Sequence, residues 1–409
     1  MAVQPRVATL EAFIIDTFSR IEANGHEVPM NKPDQLGGAG TYGIIGSRIF
    51  LPPQRLAMIV DYTPETLSRE MRDTLEAFGS DMLAFRKRTD GNGTTRAVNR
   101  YHGEKRGPTS PSRARKQRPR AAKWEAGRRL QIHWHRRRDV GIVADGRFEY
   151  LSPPRLLTPR DLLDVPTFSN PLPSWLHLVS YPERAEQSLS EISSMSADLG
   201  TGRSWTPGIL WEPEPPCCLP ENLNVIARIA RQVDVVSPNH TEGLALFGFD
   251  VPTETMQLVP LLEWLTRRLV ALRPRLAAVV RAGPYGCCYA LTSEIPSGSV
   301  YNVHSTAPPC VDVHWIPPFW QPGVAGYEGA VVDPTGAGNA FMGGLMAGLD
   351  AGKDMREAVI WANVAASFVI EQDGLPRMVN MAGVEVWNGD YPHDRVEALR
   401  QRSEARRLG

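Results

Sequence analysis

The chain has 409 residues, with 45 Lys+Arg balanced by 45 Asp+Glu, and is 42% hydrophobic and 22% charged. That composition excludes a collagen-like, wholly disordered or small disulfide-bonded protein and leaves ample material for a core. The zero net charge conceals an asymmetry: thirteen Lys/Arg lie between Lys105 and Arg138 beside a single acid, Glu125, leaving 32 bases against 44 acids elsewhere.

The stretch Met1 to Thr9 has no charged region leading into an apolar one, and no run reaches the roughly 18 apolar residues of a membrane span, so a cytoplasmic protein without membrane contact is expected. Val7 to Ile15 reads as a strand ending in Asp16. A polar stretch then leads to Gly37-Gly38-Ala39-Gly40-Thr41-Tyr42-Gly43, backbone that approaches something closely, either a ligand or its own sheet. Residues 105–146 lack apolar periodicity and read as a basic, low-order insertion, whose Lys/Arg clusters would attract nucleic acid phosphate if anything does. The text on either side joins sensibly, so a retained intron is a further reading of the same stretch.

Beyond the insertion, helix and strand alternate. Leu189–Leu199 reads as a helix and Ile209-Leu210-Trp211 as a buried strand closed by Glu212-Pro213. Leu223, Ile226 and Ala230 fall on one helix face, and Val233–Val236 is a strand stopped by Ser237-Pro238. Ala277–Arg281 and Cys287–Leu291 form a hairpin-like unit about the turn Gly283 to Gly286. The five cysteines include the pairs Cys217-Cys218 and Cys287-Cys288 but no C-x-x-C spacing, and read as reduced thiols. Val359–Ile370 is apolar on nearly every side, a buried helix, and 377–409 follows as a C-terminal extension. Such alternation predicts a mainly parallel sheet covered by helices on both faces.

The strongest local signal is Asp333-Pro334-Thr335-Gly336-Ala337-Gly338-Asn339-Ala340-Phe341. Gly336, Ala337 and Gly338 open a helix, where converging amides and the positive end of the helix dipole make an anion site. Its glycines Gly343, Gly344 and Gly348 predict backbone packed tightly against the sheet. Before the turn, Asp333 is expected to anchor the loop or the waters of a metal. Asn239 and Glu242, three apart after a strand, read as a turn and a helix-start acid on their own.

The set of motifs resembles the PfkB, or ribokinase-like, carbohydrate kinases over about Leu10 to Gly374. Asp333 to Phe341 is similar to the family's Asp-Thr-x-Gly-Ala-Gly-Asp-x-Phe signature, Asn239-His240-Thr241-Glu242 to its Asn-x-x-Glu motif, and Gly283 to Gly286 to its nucleotide-side turn. Ala365 to Pro376 resembles fungal members related to the killer-virus maintenance proteins. The resemblance implies one α/β ribokinase-like domain with a small lid near Gly37, and ATP and Mg2+ as cofactors. It also implies a nucleotide and a small-molecule hydroxyl acceptor as partners. By the same resemblance Gly336, Ala337 and Gly338 form the anion hole with Asn339 at the position of the general base. Arg281, Gly283, Gly286 and Asn363 lie at the nucleotide, Asp16, Gly37, Gly38 and Tyr42 at the substrate, and Asn239 and Glu242 at the metal.

Two departures bear on activity. Asn339 replaces the family's aspartate, and an amide cannot take a proton from a hydroxyl at neutral pH, a loss worth about 10² to 10⁴ in rate. Tyr42 replaces an asparagine that reads substrate hydroxyls, so the acceptor pocket differs. The competing expectation is a degenerate kinase that keeps the fold as a nucleotide-binding or protein-interaction module. Binding of nucleic acid through the insertion is a third, which the acidic remainder opposes.

Overall fold

Val7–Thr9 (β1) is fully enclosed by neighbours on both sides, as a strand inside a parallel sheet must be. The computed structural model that shows this describes residues 6–22, 24–102, 148–198, 204–252, 254–296, 302–305 and 307–408; the basic insertion 105–146 lies outside them. After β1 the chain leaves the central sheet and runs through β2 (Ile14–Ile21), β3 (Glu27–Pro29) and β4 (Gln35–Gly37) in a second sheet. The continuous apolar stretch before Asp16 is therefore two strands in different sheets, and Asp16 lies inside β2. Periodicity records burial but not which sheet a strand joins, so the crossover at Leu10–Phe13 left no mark in the sequence.

Helix α1 (Ala39–Arg48) leads to β5 (Leu56–Tyr62), and α2 (Arg69–Glu76) to β6 (Leu83–Lys87). Strands β7 (Arg96–His102) and β8 (Phe148–Tyr150) return to the second sheet and pair antiparallel, Ala97 with Tyr150 and Asn99 with Phe148. The insertion thus leaves and rejoins between two adjacent strands. A short α3 (Pro166–Ser169) precedes β9 (Trp175–Ser180), α4 (Pro182–Asp198), β10 (Gly208–Pro213), α5 (Leu223–Ala230) and β11 (Val235–Val236). Then come α6 (His240–Leu246), α7 (Thr255–Val270), β12 (Ala277–Arg281), β13 (Cys287–Leu291) and β14 (His314–Ile316). The chain finishes with α8 (Ala337–Asp350), α9 (Met355–Val369), the hairpin β15 (Met378–Met381) and β16 (Val384–Trp387), and α10 (Pro392–Leu408).

Among the described residues the central sheet runs β14-β13-β12-β11-β10-β9-β1-β5-β6, parallel from β12 to β6 with β13 antiparallel to both its neighbours. The second sheet, β3-β2-β7-β8 with β4 on β2, forms the lid. Two apolar clusters cover the two faces of the central sheet: Leu210, Val235 and Val279 point to one, Trp211, Val236 and Val280 to the other.

The glycines of α8 pack against helices rather than against the sheet. A Cβ at Gly343 would strike the carbonyl oxygen of Gly43 in α1; one at Gly344 would come within 2.8 Å of Trp361 O, and one at Gly348 within 2.7 Å of Ala358 Cα, both in α9. Three helices in such close register make α8 a rigid platform for the loop that precedes it. Residues 377–408 pack into the body: Trp387 is completely buried against Phe78, and the Arg395 guanidinium lies 3.7 Å over the Phe368 ring. Among the described residues no helix is long and apolar enough to cross a membrane.

Candidate active site

Parallel strands present their C-terminal ends to a common crevice. Here that edge brings together Glu212 near the end of β10, Ser237 after β11 and Arg281 at the end of β12, with His177 reaching Glu212 from the middle of β9. His177 and Glu212 share a face of the sheet, and His177 Nε2 donates to Glu212 Oε1 at 2.6 Å. Arg281 Nη2 lies 2.5 Å from Glu212 Oε2, 3.9 Å from Glu242 Oε2, and donates to Ser237 O at 2.9 Å. Burial pushes the Glu212 carboxyl up, but the Arg281 charge and hydrogen bonds from His177 and Asn339 outweigh it, and the net displacement is downward.

The anion loop faces this cluster. Gly336 takes φ +78°, a left-handed conformation suited to glycine, and starts α8. Asp333 Oδ1 accepts from Thr335 N at 2.9 Å and from Thr335 Oγ1 at 2.6 Å, so Asp333 anchors the loop. Lys32, at 3.6 Å, and the Tyr101 hydroxyl, at 3.4 Å, reach its other oxygen from the lid side. A Cβ at Gly338 would strike the Arg281 guanidinium. Arg281 therefore spans from Gly338 at the head of α8 to the neighbourhood of Glu242.

Asn239 and Glu242 meet as a complete capping box of α6. Glu242 N donates to Asn239 Oδ1 at 2.9 Å, Asn239 N to Glu242 Oε2 at 2.8 Å, and Asn239 Nδ2 to Glu242 Oε1 at 2.5 Å. Burial raises the proton affinity of Glu242, against the pull of Arg281. The pair does not fit a direct magnesium ligand set. Each residue satisfies the other, and Arg281 supplies the neighbouring positive charge. A magnesium carried on nucleotide phosphates would meet Glu242 only through water, the way Mg2+ commonly binds.

Asp16 is 3% exposed, and its carboxylate occupies the space a side chain at Gly37 would need. Gly38, at φ +88°, starts α1, with its missing Cβ 2.7 Å from Ala12 O. Tyr42 is also buried, and its ring fills the space above Gly336. The ring thereby buttresses the anion loop. Gly283 and Gly286 form the β12–β13 turn at φ +56° and +86°; Gly286 has no room for a side chain against Ile316 O, whereas Gly283 faces open space. Asn363 spends its amide nitrogen inside the core, on Val359 O at 3.0 Å and Cys287 Sγ at 3.1 Å.

Glu212 and His177 were missed from the sequence. Glu212 reads there as the end of a strand before Pro213, and His177 as one polar residue in an apolar run. The usable signal was an acid placed directly after three buried residues at a C-terminal strand end, where open α/β sheets bind ligands.

Residues 323–379 match the model for the pfkB family of carbohydrate kinases. An uncharacterised protein of Schizosaccharomyces pombe is 27% identical over 95% of this chain and 91% of its own. Protein MAK32 of Saccharomyces cerevisiae is 25% identical over 96% of this chain and 91% of its own. Among solved structures, ribokinase from Giardia lamblia superposes with a TM-score of 0.59 at 14% identity, covering 98% of this chain and 99% of that one. Ribokinase from Cryptococcus neoformans in complex with ADP gives 0.53 at 14% identity, covering 98% and 100%. The chain thus has the ribokinase fold, carries a segment that matches the pfkB carbohydrate-kinase model, and is similar over nearly its whole length to fungal proteins that include MAK32.

Proposed function

We propose that the protein transfers the terminal phosphoryl group of ATP to a hydroxyl of a sugar or sugar-like small molecule. The observation that carries this reading is the approach of Arg281 to Gly338 at the head of α8, at the edge where Glu212 and Glu242 converge. Phosphoryl transfer asks mainly for positioning and neutralisation of charge. The start of α8 supplies amides and Arg281 a guanidinium, a donor fork matched to phosphate oxygens. The ADP held by a ribokinase of the same fold supports a nucleotide as donor. Gly283 and Gly286 then shape the nucleotide side, and Asp16 with Gly37 and Gly38 the acceptor side beneath the lid. Asn339 orients the acceptor hydroxyl without deprotonating it, which slows turnover.

The test is a thermal-shift titration with MgATP, followed by a phosphorus-NMR screen of the full chain against sugars, polyols and nucleosides. A rise in melting temperature with phosphorylation of at least one acceptor is expected; no nucleotide binding at millimolar ATP would sink the reading. A non-catalytic nucleotide-binding or protein-interaction module is favoured by one observation, an amide at 339 near the Glu212 carboxylate where the resembled family carries an aspartate. ATP binding without phosphorylation of any acceptor would select it.

A further inference from the structure

No strand of the lid pairs with the central sheet among the described residues, so side-chain contacts help to set how the lid sits over the crevice. One side chain touches both the lid and the anion loop. Lys32, in the connection between β3 and β4, places Nζ 2.5 Å from Asp373 Oδ1 after α9 and 3.6 Å from Asp333 Oδ2 ahead of the anion turn. The same ammonium stands 4.2 Å from the centre of the Phe18 ring in β2 and 5.8 Å from that of Tyr101 in β7. It is 15% exposed, so two carboxylates and two rings close around it.

Resting on the kinase reading above, we propose that Lys32 is a positioning residue that makes phosphate binding at the anion loop depend on a seated lid. Asp333 spends Oδ1 on Thr335 N and Oγ1, which fixes the start of the turn, while its other oxygen faces Lys32 and the Tyr101 hydroxyl. The carboxylate that shapes the turn therefore takes a counter-charge from the lid. The turn after α9 is tied to the same place: Val332 N and Asp333 N donate to Ile370 O at 2.7 and 3.2 Å. Gln35 of β4 lies 3.5 Å from where a Cβ at Gly374 would stand, a second seat of the lid on that turn.

Charge gives the coupling its sign. With the lid seated, one ammonium stands against two carboxylates, a balance of −1; with the lid lifted, Asp333 and Asp373 keep −2 beside the loop that receives phosphate. Asp333 is the one that counts most, because it stands three residues ahead of Gly336 and at 7% exposure is screened little by salt. An entering phosphate therefore meets less repulsion under the seated lid. A ligand that prefers one of two states shifts the balance toward it, so bound phosphate in turn holds the lid down.

The experiment is isothermal titration calorimetry of the full chain with MgATP, paired with hydrogen exchange of β2 and β7 read by mass spectrometry with and without MgATP. In wild type, MgATP should slow exchange in both strands. Lys32→Met keeps an unbranched apolar side chain against the two rings and removes the charge. It should bind MgATP at least about five-fold more weakly, the low end of usual coupling strengths, and lose the slowing. Lys32→Gln serves the same comparison if the methionine variant does not fold. Lid exchange that ignores MgATP in wild type overturns the proposal, as does equal affinity or equal slowing in wild type and variant; the kinase reading then still stands. Failure of the wild type to bind MgATP defeats the kinase reading itself, and this inference with it.

Discussion

The ring of Tyr42 occupies the space that a side chain at Gly336 would need. Helix α1 thereby buttresses the first residue of the anion loop, and the loop's left-handed turn and the tyrosine are a matched pair. Gly336→Ala should cost roughly 1–3 kcal/mol from the positive φ, before the ring is displaced. Chemical denaturation of Gly336→Ala, Tyr42→Ala and the double variant should show non-additivity of at least about 0.5 kcal/mol, since the two sites share one contact. Strict additivity would mean that they do not support each other.

Restoring the family's aspartate should not simply restore a family site. The Asn339 side chain lies near Glu212 and helps to hold its carboxyl below the usual range, so Asn339→Asp sets a carboxylate near a carboxylate. Like charges raise the folded-state proton affinity of the pair above its unfolded value. The variant is therefore comparatively stable at low pH and loses stability as pH rises through the raised value. Its melting temperature relative to wild type should fall between pH 5 and pH 8, by the equivalent of about 1–3 kcal/mol, and Glu212→Gln in the same chain should recover most of the loss. A melting curve that ignores pH would refute the contact.

Glu214, two residues beyond, titrates near neutrality for a different reason. Burial chiefly, then the Glu11 charge, pushes its carboxyl up to about 7, while Arg184 pulls the other way. Because its folded value lies above the unfolded one, its contribution to stability is present at acid pH and disappears as pH climbs through about 7. Glu214→Gln should flatten the decline of melting temperature between pH 5.5 and 8 and leave the acid end unchanged. An unaltered slope would contradict the assignment.

The paired ends of β7 and β8 predict that the insertion is dispensable for folding. Asn99 faces Phe148, so a short turn can replace residues 105–146 without extending either strand. The deleted chain should melt within a few degrees of the full one by scanning calorimetry, because loop length changes closure entropy only slowly. If the insertion also contacts nucleic acid, filter binding of RNA at low salt should be lost with it; a large fall in melting temperature would show that the segment belongs to the core.

Much of the architecture was legible. The strand before Glu212, the helix at Leu223 and the β12–β13 hairpin lie where apolar periodicity put them, because burial of alternate or every third and fourth residue is a local property of the chain. The anion turn was legible for a related reason: a glycine at φ +78° followed by a helix is a backbone requirement written into three adjacent residues. The split of the first apolar stretch between two sheets was not, and neither was the choice of α1 and α9, instead of the sheet, as the surface that the glycines of α8 meet. Both depend on which distant surface a buried residue meets.

The amino-acid order alone determined the alternating α/β pattern, the glycine turn at the head of α8 and the presence of an amide where a carboxylate is usual. Only the tertiary structure decided that Glu212 sits beneath that amide, that Arg281 spans from it to Gly338, and that Asn239 and Glu242 satisfy each other. The physical reason is range. Periodicity and turn chemistry act over a few residues, whereas His177 and Glu212 are 35 residues apart and meet only because their strands lie side by side.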